Sequence, residues 1–264
     1  MSKEYSSKSL AHLGIVSGMI DELGIVEAID KHLQIDGKER DVSLGVLCKA
    51  LILNGLGFTQ RTLYMVSTFF EDKPIEVLLG DGVEPGQLND TSLGRCLDAI
   101  HRKVWCERAK FEAQAERKGR FIVATNEPDE EKLSDLEMLK NYQGQAKVER
   151  GFRFLKDLQF MAATFFVKKP ERVEALLFIM TLCLSVYAGL EYRVREKLAA
   201  AQETLPNQLG KEVKNPTMRW IFACFNGIHI LDTADKKLVL NIKPLHLKVL
   251  HLLGQKYLNY YFLE

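Results

Sequence analysis

Apolar residues fall at helical spacing along most of this chain, and polar turns divide the periodic stretches into separate elements. From Leu10 to Ile35 the set Leu13, Val16, Ile20, Leu23, Ile25, Ile29 and Leu33 keeps the rhythm of one helix face, but Gly24 interrupts it. Two short helices are predicted there, with a polar turn over 36–41 behind them. Ser43 can cap a helix from Leu44 to Asn54 that stops at Gly55-Leu-Gly57, and Thr59-Gln-Arg-Thr62 opens another through Phe70. Lys73 to Gly80 reads as a short helix with Pro74 near its start, and 81–86 as a loop. Leu88-Asn-Asp-Thr91 supplies capping residues for an amphipathic helix reaching Ile100.

The second half of the chain reads less uniformly. His101 to Lys118 is a charged, Ala-rich helical tract, and Phe121 to Thr125 is a short strand by its β-branched content. Ser134-Asp-Leu-Glu137 has the form of a capping box, so a helix is expected from about Asp135 to about Asp157. Pro170 opens a long helix whose run Ala175 to Leu190 is mostly apolar; it is short for a bilayer span and charged at its flanks, which favours a buried core helix. Trp220 to Ile230 is read as an apolar helix and Lys237 to Lys243 as a strand.

One helix carries the candidate chemistry. Tyr142, Gln145, Glu149, Arg153 and Lys156 follow at steps of three, four, four and three, so they share one stripe, beside an apolar stripe of Val148, Phe152 and Leu155. Read from the residues alone, this is either a functional face or a set of surface pairs worth a few tenths of a kcal/mol each.

The motif Tyr142-x2-Gln145-x3-Glu149-x6-Lys156 resembles the Tyr-x2-Arg-x3-Glu-x6-Lys signature of bacterial insertion-sequence transposases of the DDE type, with Gln145 in place of the usual Arg. The context Lys-Val-Glu-Arg-Gly-Phe-Arg-Phe-Leu-Lys156 and the later Lys169-Pro-Glu-Arg-Val-Glu-Ala-Leu176 are similar to a subgroup of that family. The resemblance implies an RNase H-like catalytic domain in which Glu149 is the third metal-binding carboxylate, for Mg²⁺. It also implies that Tyr142, Gln145, Arg153 and Lys156 face double-stranded DNA at the transposon ends.

It further implies an all-α N-terminal domain over 1–104. There the turn between the two helices of 44–70 has the size of a helix-turn-helix, with Gln60 and Arg61 at the recognition position; a plain packing unit is the other reading. Asn89-Asp90-Thr91 resembles the helix start of that domain, so Asp90 is not assigned to the catalytic triad.

The departure from the family lies in the middle. Between the N-terminal domain and Phe121 the family has several strands carrying two catalytic Asp residues, and here only the helical junction 105–118 fills that interval. The expected architecture is therefore mainly α: an all-α N-terminal domain followed by a truncated RNase H-like α/β remainder over 119–264. Two-metal phosphoryl transfer needs several carboxylates converging on the ion pair, and Glu149 is one; Asp129, Glu130, Glu131 and Asp135 lie in a loop and cap.

The functional expectation is a transposase-family protein that binds DNA without productive Mg²⁺ binding or strand transfer, as a homo-oligomer or mixed with intact transposase. Two alternatives stand beside it, an active DDE transposase and a helical protein-interaction module.

Composition changes this picture little. A chain that is 47% hydrophobic and 27% charged is globular rather than disordered, and a net charge of +1 gives no global nucleic-acid signal. Locally, eight cations between Lys140 and Arg172 face three acids, a net of plus five that reads either as a phosphate-contacting surface or as a solvated face. Five cysteines without a CxxC pair read as scattered reduced thiols. With no apolar stretch in Met1 to Leu10 to act as an export signal, a cytoplasmic, nucleoid-associated protein without membrane attachment is expected.

Overall fold

The computed structural model describes residues 6–33, 41–57, 65–112, 134, 169–233 and 236–263, the side chains of 104–112 aside. Within them the fold is mainly α. Gly24, in the left-handed region at φ 62°, turns the chain between helix α1 (Leu13–Glu22) and helix α2 (Ile25–His32), as its place in the apolar rhythm predicts. Ser43 caps helix α3 (Leu44–Leu56) by accepting a hydrogen bond from the Val46 amide at 3.2 Å. Asp30 of α2 accepts from the Gly45 amide and from the Ser43 hydroxyl, both at 2.7 Å, which fixes α2 against the start of α3.

Helices α4 (Val66–Glu71) and α5 (Ile75–Leu79, entered through Pro74) lead to α6 (Asp90–Glu112). Asn89 accepts from the Ser92 amide at 3.0 Å, and Asp90 is the first residue of α6. The predicted helix to Ile100 and the first part of the charged tract behind it form this one continuous helix.

Helix α7 (Pro170–Ala201) is the longest described element. Its buried positions Ala175, Ile179, Cys183, Val186, Leu190, Val194 and Leu198 recur every three or four residues, so one stripe faces the core. That stripe packs on α6, α3 and α1 and on a later helix, α9 (Pro244–Leu253). By length and composition α7 could cross a membrane; here that stripe lies in the core, while Leu177 and Tyr192 on the other side are exposed.

The strands are few. Ser6–Ser9 (β1) pairs antiparallel with His229–Asp232 (β4), which pairs antiparallel with Lys237–Leu240 (β5). Leu205–Pro206 (β2) and Glu212–Val213 (β3) form a separate hairpin. The helix expected over Trp220 to Ile230 is shorter: α8 spans Met218–Cys224, capped by Thr217. The chain then turns through Asn226 and Gly227, and Ile228 and Ile230 are buried at the sheet. The strand expected over Lys237 to Lys243 ends at Leu240, where Asn241 turns the chain at φ 66° ahead of Pro244, which opens α9.

These pieces share one core across the undescribed interval. Buried His12 stacks on Phe222 of α8 with ring centroids 4.4 Å apart, and Tyr187 of α7 meets Phe222 edge-on at 5.9 Å. Near the end of the chain Tyr257 donates to Glu22 at 2.6 Å, Tyr260 donates to Asp21, and Tyr261 donates to the Ala11 carbonyl at 2.7 Å. Three tyrosines within five residues thus grip α1 from the other end of the sequence.

Candidate nucleic-acid interface

The stripe singled out in the sequence, Tyr142, Gln145, Glu149, Arg153 and Lys156, lies outside the described residues, and so do Gln60, Arg61, Asp129, Glu130, Glu131 and Asp135. Also outside them are the strand expected at Phe121 to Thr125 and the end of the junction 105–118, from residue 113 on. The structure does describe the frame on either side of that interval, α6 before it and α7 after it.

The two helices are held together by a forked ion pair. Arg172, in the first turn of α7, donates through Nε and through a terminal guanidinium nitrogen to the two carboxylate oxygens of Asp98 on α6, each at 2.8 Å. The guanidinium lies over Gly94, where a Cβ would come within 2.5 Å of it, so a larger residue four before Asp98 would push the Arg172 side chain aside. Hydrogen bonding to Arg172 first, and its positive charge second, hold the Asp98 carboxyl below the usual range against the opposing effect of burial. One turn further along, His101 and Glu174 approach to 3.0 Å.

This arrangement bears on the basic cluster read from the sequence. Of its eight cations, Lys169 and Arg172 are described. Arg172 is bound to Asp98, which makes it a clamp between helices rather than a cation presented to phosphate; Lys169 is exposed at the cap of α7.

The well-placed acids of the described fold have structural partners as well. Asp30 holds the start of α3, and Asp98 holds Arg172. Asp21 binds Lys49 at 2.8 Å, and Lys49 donates in turn to the Tyr260 hydroxyl at 3.0 Å. Asp21 and Tyr260 of this trio border a cleft of about 470 Å³ whose lining includes Val77, Lys256, Asn259 and Leu263. Lys49 is buried with both partners in place, so the trio is a fastening between α1, α3 and the chain end. Among the described residues no group of three or more His, Cys, Asp or Glu is placed to hold a metal ion.

The thiols are not all scattered. Cys48 on α3 and Cys96 on α6 are both buried, with their sulfurs 3.5 Å apart. The hydrogen bond between them, together with burial, raises the Cys48 thiol, and burial alone pushes Cys183 up to about 12. Both are held as neutral packing groups rather than as thiolate nucleophiles.

Sequence reasoning missed the Asp98–Arg172 and Asp21–Lys49–Tyr260 groups. Their members stand 74, 28 and 211 residues apart, and no local pattern marks such pairs.

Residues 5–106 match the family model of a domain of unknown function, DUF4277. The matched segment runs from β1 through much of α6. No curated protein and no solved structure matches the chain.

Proposed function

We propose that this protein is a DNA-binding protein of the insertion-sequence DDE transposase lineage that lacks competent strand-transfer chemistry. The observation that carries the reading is the signature Tyr142-x2-Gln145-x3-Glu149-x6-Lys156 in its matching context, in a chain with no counterpart for the family's two catalytic Asp residues. The structural employment of Asp21, Asp30 and Asp98 supports it, since each is bound to an amide, a hydroxyl or a cation that holds the fold. Glu149 alone would hold Mg²⁺ loosely. Two-metal chemistry needs further carboxylates to place ions on the attacking and leaving oxygens.

On this reading the protein works by occupying transposon ends, as a homo-oligomer or mixed with intact transposase, in the cytoplasm at the nucleoid. Tyr142, Gln145, Arg153 and Lys156 form the face that meets the duplex, and Arg153 and Lys156 act on phosphates. Replacing counterions on phosphate lowers log affinity by about 0.9 per contact per decade of salt. The double variant Arg153→Ala with Lys156→Ala is therefore expected to weaken binding about equally across sequences and to flatten the salt slope by about two units. Fluorescence anisotropy over a salt series measures both. An unchanged slope and affinity would make the stripe a solvated helix face.

A further inference from the structure

The hairpin of β2 and β3 carries one exposed apolar side chain, Leu209, on a hydrogen-bonded polar turn. Its root is fixed: Leu205 is buried, the Trp220 indole of α8 donates to the Pro206 carbonyl at 2.8 Å, and Thr204 donates to Glu212 across the strands at 2.5 Å. The tip is fixed by Asn207, whose side-chain oxygen accepts from the amides of Leu209 at 2.9 Å and Lys211 at 3.0 Å. Gly210 supplies the left-handed residue the turn requires, at φ 74°. At the apex Leu209 is 80% exposed, more than any other large apolar side chain among the described residues.

A single exposed leucine is ordinary on a protein surface. Here it stands on a turn with little freedom to fold it away, and its surroundings are basic. Lys211 and Lys214 are exposed at the tip and foot of the hairpin, and exposed Arg219 lies on α8 beside the Trp220 that holds Pro206. Against these three cations the stretch 205–219 has one acid, Glu212, which accepts from Thr204.

We propose that this hairpin inserts into the minor groove of duplex DNA, with Leu209 as an apolar wedge between base steps and Lys211, Lys214 and Arg219 on the flanking phosphates. Proteins that kink DNA from the minor groove use this combination: a rigid apolar side chain that displaces a base step and cations that hold the backbone beside it. The inference rests on the DNA-binding reading above and adds a second contact surface to it, one whose residues the structure describes.

The test uses the full chain and a short mixed-sequence duplex containing 2-aminopurine, whose fluorescence rises when it unstacks. The wild type should bind at low salt and raise the signal. Leu209→Ala should bind about tenfold more weakly, the scale of one buried leucine side chain, with the fluorescence rise lost and the salt slope kept. Lys211→Gln with Lys214→Gln should keep the rise at saturation while the slope falls by about two units.

Leu209 is a surface residue, so thermal unfolding of the first variant should match wild type, and a change in binding reads the contact itself. Wild-type protein that fails to bind duplex at low salt would overturn the DNA reading and the hairpin with it. Wild-type binding and fluorescence that Leu209→Ala leaves unaltered would overturn the hairpin alone.

Discussion

Phe222→Ala should destabilise the protein by about 3–5 kcal/mol, the range for removing a fully buried aromatic side chain from a close-packed core. The ring is 0% exposed and lies where three parts of the chain meet: His12 from before α1 stacks on one face, Tyr187 of α7 meets it edge-on, and α8 supplies the ring. Truncation leaves a cavity bounded on both sides of the undescribed interval, so 6–112 and 169–263 should lose stability together, in one chemical-denaturation transition. A cost below about 1 kcal/mol, or two transitions of which one is unmoved, would show that the two parts are not joined through this ring.

The same contact makes stability depend on pH through His12. Burial disfavours the charged imidazolium and holds its pKa down to about 4; the hydrogen bond from Nε2 to the Leu56 carbonyl, 2.8 Å away, opposes this, and the positive charge of Lys73 adds to it. The unfolded chain keeps the ordinary value near 6.5. Between these values the unfolded state binds the proton and the folded state does not. Stability is therefore complete above about pH 6.5 and falls as the pH drops toward 4, by about 3 kcal/mol in all. Asp98 and Glu76, both lowered by hydrogen bonds to cations, also lose stability on acidification, but they are largely exposed and their share is screened. His12→Gln isolates the imidazole, since its amide can still donate to Leu56 while it does not titrate. Its unfolding free energy should fall less than that of wild type between pH 6.5 and 4, by about 3 kcal/mol. Parallel pH curves would mean that His12 is not held neutral.

Much of the helical frame is legible from short-range pattern, and particular residues show why. Gly24 divides α1 from α2, Ser43 and Asn89 cap α3 and α6, and Pro170 opens α7, each by chemistry confined to one turn of chain. The strands are harder to read. Ser6 to Ser9 has no apolar alternation, and it is a strand because Ser7 pairs with Leu231 and Lys8 with Ile230, at the far end of the sequence. The helix read through Ile230 runs too far because Phe222, Phe225, Ile228 and Ile230 keep an apolar rhythm across the Asn226-Gly227 turn. Arg172 reads as part of a basic surface until Asp98 comes beside it, a pairing set by the packing of α6 on α7. For the candidate site, the stripe from Tyr142 to Lys156 is legible in the sequence as a motif and lies outside the described residues.

The central claim, DNA binding without strand-transfer chemistry, is tested most directly by cleavage. Purified protein is incubated with a supercoiled plasmid carrying the matching transposon ends, in Mg²⁺ or Mn²⁺, at salt where binding has been verified. The account predicts bound DNA with no nicking above the metal-free background, and the same result for Glu149→Gln. Metal-dependent nicking by the wild type that disappears in Glu149→Gln would contradict it and establish a working carboxylate site.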